Sequence, residues 1–253
     1  MTVNRQGRIW GLVAGQAASH GGLVSASDAC AAAVPAVQVT GAWLSAASGT
    51  EPVGHLMSVT DAVSERLAEL QLILGEGPSP DAADAGGPVL ASDLDETEAD
   101  YRWPVFAPAA RQAGAAAIFA FPLRIGAIRA GVLGLYRDQA GPLSDTQLGD
   151  ALIFADAAAL LLISADSTDD AGETGTGPGP GGQPADLAGH RAEIDQATGM
   201  LTEQLGISIK EAFIRLRAYA YAHDRSLADL ARDIVARRLR LGPDPGLAED
   251  GRA

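Results

Sequence analysis

The chain has few of the residues from which catalytic and metal sites are usually built. Cys30 is its single cysteine, so no internal disulfide can form and no second thiol is available for redox chemistry. The histidines lie far apart, without the spacing of a metal site; they are His20, His55, His190 and His223. We therefore expect no catalytic residue, no metal and no resident cofactor, and the protein is predicted not to be an enzyme.

The sequence also lacks signals for export and for membrane insertion. It shows no charged N-terminal segment followed by an apolar core, and no evident apolar run of the roughly 20 residues that a bilayer requires. The formal net charge is −14 and the isoelectric point is about 4.5, which is typical of a soluble protein. These features predict a cytoplasmic protein without a membrane partner.

Basic residues are concentrated near the C-terminus. Residues 190–240 contain nine basic and seven acidic residues, a net charge of +2, which leaves −16 on the rest of the chain. Eight of the nine are arginine, whose planar guanidinium suits phosphates and base edges better than a lysine ammonium. Charge alone leaves two interpretations open, a nucleic-acid surface or a solvated face of ion pairs such as Glu211 with Arg215.

Three short amphipathic helices are predicted within residues 190–241. The first covers residues 190–205 and ends before Gly206, because glycine readily adopts the left-handed conformation that closes a helix. Apolar residues recur every three or four positions and predict one buried stripe per helix. The stripes consist of Ile194, Ala197, Leu201, Leu205, Ala212, Phe213, Leu216, Ala220, Leu227, Leu230, Ala231, Ile234, Val235 and Leu239.

Two capping boxes are predicted at the starts of the second and third helices. Ser208 precedes Glu211 by three residues, and Ser226 precedes Asp229 by three residues. In such a box the hydroxyl and the carboxylate satisfy backbone donors that the first helical turn leaves free. A bundle this small is more often a binding module than a catalyst, because it has no room for a deep pocket.

These helices resemble a known domain family. The run Ile194-Asp195-Gln196-Ala197-Thr198-Gly199-Met200-Leu201 is followed by Gly206-Ile207-Ser208, Glu211-Ala212-Phe213, Leu216-Arg217 and Leu227-Ala228-Asp229-Leu230-Ala231, and the set is similar to the ANTAR domain. The resemblance implies that residues 187–241 are a three-helix RNA-binding module of bacterial antitermination regulators. Such modules, commonly as dimers, bind hairpins in nascent RNA and stabilise an antiterminator over a terminator.

The resemblance also implies which residues contact RNA. They are Gln196, Thr198, Gly199, Arg217, Tyr219, Arg225 and Arg232, the last as a phosphate contact. Thr198 stands where the family usually has a lysine, so one charge is missing from the electrostatic part of RNA binding. Instead of contacting RNA, Gly199 could permit close packing between helices, and Tyr219 could be a half-buried core residue. His223 is interpreted as a partner of the dipole at the end of the second helix.

Upstream of this module, residues 166–186 are rich in glycine, proline and acidic residues and predict a flexible linker. Residues 242–253 are predicted to be a disordered tail. Residues 4–165 are long enough for one domain with its own core. Strands are predicted at residues 37–45, 54–59, 88–92, 116–123 and 129–136, the last two as a hairpin, and helices at residues 8–19, 26–34, 63–73, 104–112 and 145–164.

Three segments of this first region resemble a GAF domain of actinobacterial regulators. They are Leu74-Gly75-Glu76-Gly77-Pro78, Arg102-Trp103-Pro104-Val105-Phe106 and Phe121-Pro122-Leu123-Arg124. The resemblance implies an α+β sandwich, an antiparallel sheet flanked by helices, with room in many members for a small molecule of unknown identity here. The candidate ligand pocket consists of Trp43, Trp103, Phe106, Phe119 and Phe121, with ordinary core packing as the alternative.

The sequence thus predicts a GAF sensor that controls an ANTAR module bound to leader hairpins, in a homodimer. One alternative is a signal-responsive dimerisation or protein-interaction scaffold with little RNA affinity, because Thr198 replaces the family lysine. A DNA-binding helix-turn-helix is the third hypothesis. Asp229 and Asp233 disfavour it, because they would face backbone phosphates at the start of the third helix.

Overall fold

The computed structural model describes residues 4–48, 51–169, 185–242 and 248–250 of the 253-residue chain. The chain divides into two compact units. The N-terminal unit holds most residues up to Ala185, and the C-terminal unit holds the chain from Asp186 onward.

The N-terminal unit is built on a five-stranded antiparallel sheet. Its strands are β1 (Gly41–Ser48), β2 (Glu51–Val59), β3 (Val89–Ala91), β4 (Ala117–Ile125) and β5 (Ile128–Arg137), in the order β2-β1-β5-β4-β3. All five strands lie where the sequence predicts strands, and β4 and β5 form the predicted hairpin. β1 begins at Gly41 rather than at residue 37, because the preceding helix continues to Val37 and Gln38 then turns the chain with a φ of 58°.

Helices cover both faces of this sheet. They are α1 (Arg5–His20), α2 (Ala26–Val37), α3 (Ala62–Leu74), α4 (Pro78–Ala85), α5 (Thr97–Arg102), α6 (Phe106–Ala113) and α7 (Asp145–Asp169). The sequence predicts five of them and misses α4 and α5. α4 begins with Pro-Ser-Pro after Gly77, which reads as a loop, yet proline is well tolerated in a first helical turn where no donor is needed. α5 has only six residues, too few for a periodic pattern.

The helices α1, α2 and α7 form the layer on one face of the sheet. Their apolar residues share a core with the inward side chains of three strands, among them Leu44 of β1 and Leu133 of β5. The carboxylate of Asp150 fixes α1 to α7, because Arg8 Nη2 lies 2.6 Å from each of its oxygens. Asp150 itself is buried, and Arg5 Nε lies 3.5 Å from it.

The apolar character of α7 corrects one expectation from the sequence. Residues Asp145–Ala165 are long and apolar enough to cross a membrane by length and composition, so the chain does contain such a run. Phe154 and Ala158 of this helix are fully buried in the core with α2 and β4. A core helix of a globular domain passes the same test of length and composition.

The C-terminal unit is a three-helix bundle with a short strand pair. Its elements are α8 (Ala185–Leu205), α9 (Ile209–Ala222), α10 (Leu227–Val235), β6 (Leu239–Leu241) and β7 (Ala248–Asp250). The predicted stripes form its core: Ile194, Ala197, Leu201, Ala212, Leu216, Ala220, Leu227, Leu230, Ala231 and Ile234 are buried, and Leu205, Phe213, Val235 and Leu239 pack against them. Gly206 ends α8 with a φ of 62°, as predicted.

The two predicted capping boxes differ in the structure. At α9 the box is complete, since Ser208 Oγ accepts from Glu211 N at 3.2 Å and Glu211 Oε2 accepts from Ser208 N at 3.0 Å. At α10 Ser226 Oγ accepts from Asp229 N at 3.0 Å, but the Asp229 carboxylate accepts from Arg232 Nη1 at 2.8 Å. An aspartate has one methylene fewer than a glutamate, which makes the return bond to the cap harder to reach.

The predicted linker and tail lie partly outside the described residues. α7 continues to Asp169 and α8 begins at Ala185, so helices extend into both ends of the segment 166–186. In the segment expected to be disordered, β7 pairs antiparallel with β6, and Arg240 stands opposite Glu249. The alternation Leu239-Arg240-Leu241 favours such a strand, because it places two apolar side chains on one side.

Candidate functional site

Gln196 and Gly199 lie three positions apart on α8 and are both exposed. Residues with this spacing share one face of a helix. A Cβ atom added to Gly199 would meet nothing within 4 Å, so no packing against the described residues requires a glycine there. A glycine within a helix costs about 1 kcal/mol relative to alanine. Close helix packing within the chain therefore does not account for Gly199, and a close approach by another molecule would.

Thr198 does not belong to this exposed face, which corrects its assignment as an RNA contact. Its side chain is buried with 6 % exposure, and its Oγ1 donates to the carbonyl of Ile194 at 2.7 Å. A threonine in a helix readily forms this bond to the preceding turn. The hydroxyl is therefore already used, and the position lies under the surface rather than on it.

Arg225 is held between α9 and α10 by an aspartate. Its Nη2 lies 2.5 Å from Asp233 Oδ2, while Arg238 Nε donates to Asp233 Oδ1 at 2.8 Å. These two guanidinium hydrogen bonds hold the pKa of the Asp233 carboxyl below its usual value. One carboxylate thus joins two arginines, and the Arg225 side chain remains 32 % exposed.

Arg232 is likewise paired with acidic residues. Its Nη1 donates to Asp229 Oδ1 at 2.8 Å, and its Nε lies 3.4 Å from Glu193 Oε1 on α8. Its side chain is 44 % exposed, so these pairs lie in a solvated environment where each contributes little to stability.

Arg217 and Tyr219 lie on α9, two positions and hence about 200° apart around the helix axis. The guanidinium carbon of Arg217 lies 5.9 Å from the ring centroid of Phe213. The Tyr219 ring stacks on the His223 imidazole, with centroids 3.9 Å apart and planes inclined by 16°. His223 Nδ1 also lies 2.9 Å from the Tyr219 carbonyl oxygen, which agrees with its interpretation as a partner of the helix C-terminus.

The predicted aromatic pocket of the N-terminal unit is divided by the sheet, which corrects that prediction. Phe119 and Phe121 are fully buried in the core with α2 and α7. Trp43 alternates with Ala42 and Leu44 of that core, so it points to the opposite face. There its indole covers Gly134 so closely that a Cβ on that glycine would clash with the ring.

Trp103 and Phe106 pack against each other in an edge-to-face pair, with ring centroids 6.4 Å apart. Trp103 Nε1 donates to Asp81 of α4 at 3.1 Å, so this pair is anchored to α4. Backbone amides of Val105 and Phe106 donate to the Glu76 carboxylate at 2.8 and 2.6 Å. All five predicted aromatics are at most 3 % exposed, so each of them packs in a core.

Trp43 Nε1 and Ser79 Oγ are among the buried polar atoms of this unit. Within the described part of the chain, no atom accepts a hydrogen bond from Trp43 Nε1, and none pairs with Ser79 Oγ of α4. Buried polar groups are nearly always satisfied by protein or by ordered molecules. Among the described residues no three His, Cys, Asp or Glu side chains lie close enough to hold a metal ion.

Comparison with known families decides the nature of the C-terminal unit. Residues 188–235 match the family model of the ANTAR domain, a span that covers α9 and ends with the last residue of α10. The chain carries an ANTAR domain. The match includes Gln196, Gly199, Arg225 and Arg232, and it ends before Arg237. No curated protein matches the chain.

Solved structures identify the fold of the N-terminal unit. The chain is similar to the GAF domain of a phosphoenolpyruvate-protein phosphotransferase from Coxiella burnetii, with a TM-score of 0.51 and 12 % identity over 66 % of this chain and 99 % of that one. The GAF domain of the Acinetobacter phosphoenolpyruvate-protein phosphotransferase gives 0.49 and 14 %, over 67 % and 99 %. The N-terminal unit has the GAF fold, so the predicted α+β sandwich followed by an all-α bundle is confirmed.

The structure adds exposed or ring-stacking residues of the C-terminal unit that the sequence did not assign to a functional surface. Arg237 and Arg240 are exposed just after α10, and His223 covers the Tyr219 ring. The alternation Leu239-Arg240-Leu241 is the sequence signal for the short strand β6. The three- and four-residue spacing of apolar residues in α10 continues to Leu239, so the sequence does not show that the helix ends at Val235.

Proposed function

We propose that this protein is a transcription antitermination regulator whose ANTAR domain binds hairpins in nascent RNA. The observation that carries the proposal is the exposed pair Gln196 and Gly199, inside the span that matches the ANTAR family. Gly199 leaves α8 without a side chain at a place where no atom of the described part of the chain fills the space. Such a surface lets a phosphate backbone or a base approach the helix closely.

The ion pairs of Arg225 and Arg232 are compatible with this function. Both arginines pair with carboxylates at the surface, where exchange of one anion for another costs little. Asp233 and Asp229 keep the two guanidinium groups oriented before RNA binds. An RNA phosphate can then replace either aspartate as the partner of the arginine. Because Thr198 is buried, the electrostatic contribution to binding rests on these arginines.

We further propose that the GAF domain senses a small molecule and controls the ANTAR domain within a homodimer in the cytoplasm. Trp43 Nε1 is buried and has no hydrogen-bond acceptor among the described residues, which supports a polar ligand near Trp43 rather than at Phe119 and Phe121 across the sheet. A thermal-shift screen of metabolites on the full chain tests this, because only a molecule that binds the folded state raises the melting temperature. A ligand whose shift survives in Trp43→Phe contradicts the assignment to Trp43.

Crosslinking of the full chain in its host cells, followed by sequencing of bound transcripts, tests the RNA proposal. The wild type should enrich leader-region hairpins, and Arg217→Ala with Arg225→Ala should lose them. Arg124→Ala with Arg129→Ala is the matched control, since it removes the same two charges from exposed positions of the GAF domain. Equal enrichment with all three proteins, or none, contradicts the proposal.

A scaffold function is the second candidate, and the pairing of Arg225 and Arg232 with acids favours it. In that case the bundle serves protein contacts and its arginines are structural. Analytical ultracentrifugation of the full chain, alone and with RNA hairpins, distinguishes the scaffold function from the regulator function. A dimer that fails to bind any selected RNA hairpin supports the scaffold, whereas hairpin binding supports the regulator. A DNA duplex of the same length serves as the comparison for the helix-turn-helix hypothesis.

A further inference from the structure

The C-terminal unit continues beyond the ANTAR match in an ordered segment, residues 236–242. Leu241 is buried and Leu239 packs against the core of the bundle, so β6 is anchored by its apolar side chains. Gln204 Nε2 of α8 donates to the Leu241 carbonyl at 2.8 Å. The segment is therefore held against the domain, and its polar side chains have fixed attachment points.

The turn that leads into this segment places an arginine in a costly conformation. Arg237 has a φ of 57°, a left-handed conformation that glycine adopts more readily. Its amide donates to the Ile234 carbonyl at 2.9 Å, and the amide of Arg238 donates to the Asp233 carbonyl at 2.8 Å. These bonds close α10, and an arginine stands where a glycine would be the easier choice.

The arginines of the segment continue the surface around Arg225. Asp233 joins Arg225 to Arg238, so the segment begins next to a residue already assigned to RNA contact. Arg237 and Arg240 are both exposed. In the strand register, Arg240 stands opposite Glu249.

We propose that Arg237 and Arg240 form a second RNA phosphate contact outside the span that matches the ANTAR family. The inference rests on the proposed function and extends its footprint. Two exposed guanidinium groups on an anchored segment suit the sugar-phosphate backbone of a hairpin stem and read no bases. The contact therefore adds affinity for any hairpin and leaves the choice of loop sequence to the ANTAR domain.

The test measures binding of the full chain to an RNA hairpin selected by the wild type from a library with randomised loops. Affinity is recorded over a series of salt concentrations, since each neutralised phosphate changes the slope of log K against log salt by roughly 0.7 to 0.9. Arg237→Ala with Arg240→Ala should flatten the slope by about 1.5 and weaken binding at low salt by at least about tenfold. The loss should be the same for hairpins with different loops.

Three variants keep the result interpretable. Arg237→Lys with Arg240→Lys keeps both charges and should keep the slope, whereas Arg124→Ala with Arg129→Ala removes two charges elsewhere and should also keep it. Arg237→Gly removes one charge but relieves the left-handed strain, so it should melt at a higher temperature and yet bind RNA more weakly. The melting temperature and the RNA affinity of Arg237→Gly, measured together, distinguish a role of Arg237 in binding from a structural role.

The outcomes are distinct. An unchanged slope in the double alanine variant, with a wild type that binds the hairpin, overturns this inference alone. A wild type that selects no hairpin overturns the proposed function, and this inference with it. A flattened slope in the alanine variant together with an unchanged slope in the lysine variant supports both.

Discussion

Gly134 in the GAF domain and Gly199 in the ANTAR domain both lie inside regular secondary structure, and their surroundings are opposite. Gly134 lies in β5 beneath the Trp43 indole, which occupies the space of the missing side chain. Gly199 lies in α8 with nothing in that space. The first glycine serves the packing of its own domain. The second meets no atom of the described residues, so the packing of its own domain does not explain it.

The same contrast holds for two aspartates that each bind two arginines. Asp150 is 4 % exposed and ties α1 to α7 through Arg8, with Arg5 nearby. Asp233 is 25 % exposed and holds Arg225 and Arg238 at the surface. Buried partners cannot be replaced by water without a large penalty, whereas surface partners can be exchanged. The two domains thus differ in the burial of the aspartate that holds the arginines, which is nearly complete in the GAF domain and partial in the ANTAR domain.

Gly134→Ala should give the largest change in stability. The new methyl group collides with the Trp43 ring, and overpacking of a core typically costs about 1 to 3 kcal/mol. Urea denaturation of the full chain measures the loss. Trp43→Leu combined with Gly134→Ala should recover part of it, because the smaller side chain makes room. Additive losses in the double variant would mean that the two residues do not compete for the same space.

Asp150→Asn and Asp233→Asn test the contrast between the aspartates. Asp150→Asn should lower the free energy of unfolding by about 1 to 3 kcal/mol, because charge-assisted bonds of a buried carboxylate are lost. Asp233→Asn should cost under about 1 kcal/mol and should tighten RNA binding, since it releases Arg225 and Arg238 and removes a negative charge. Similar stability losses for both variants, with no gain in RNA affinity, would remove the distinction.

Asp28→Asn tests a buried pair of the GAF domain through its pH dependence. Burial raises the pKa of Asp28, but hydrogen bonds from His20 at 2.7 Å and Ser25 at 2.8 Å outweigh it, so the net pKa is lowered. A lowered pKa contributes stability above the unfolded value, near 3.8, and that stability is lost as the pH falls through the folded value. The variant should lose about 1 kcal/mol at neutral pH.

The difference between wild type and Asp28→Asn should therefore shrink as the pH falls below about 4. Urea denaturation at several pH values measures it. Asp95→Asn is a suitable control, because Asp95 has an 83 % exposed side chain in the same domain. A constant difference between wild type and Asp28→Asn over the whole pH range would show that the carboxylate charge is not involved.

Gly199→Ala should give the smallest change in stability and a change of opposite sign. Alanine should stabilise the helix by up to about 1 kcal/mol, because nothing obstructs the new methyl group. RNA binding should weaken at the same time if RNA approaches α8 at Gly199. Thermal denaturation and hairpin titration of the same preparation measure both. Stabilisation with unchanged RNA affinity would leave Gly199 without a functional explanation.

The sequence predicts the fold of this protein well because its signals are local. Ser208, Glu211 and Gly206 mark helix ends through contacts within a few residues, and the alternation in β4 and β5 marks a hairpin. The errors have local causes as well. Pro35 suggests an earlier end to α2, although a proline in the last turn removes only one hydrogen bond and the helix continues to Val37.

The candidate sites were harder to predict because they depend on which face a side chain occupies. Phe119 and Phe121 are apolar and suitably spaced, but only the placement of α2 and α7 shows that they lie across the sheet from Trp43. Thr198 is polar, and the sequence suggested an exposed contact. Its hydroxyl bonds to the backbone of its own helix, so it can be buried at little cost.

Cys30 gives this two-domain protein a chemical reporter for one domain alone. The thiol is fully buried in the GAF core, and burial raises its pKa to about 12, so the folded domain presents almost no thiolate to an alkylating reagent. It is the single cysteine of the chain, hence any labelling counts openings of the GAF domain and ignores the ANTAR domain. The rate at which a maleimide reacts would thus measure how often the GAF domain opens while the ANTAR domain is folded, unfolded or mixed with RNA.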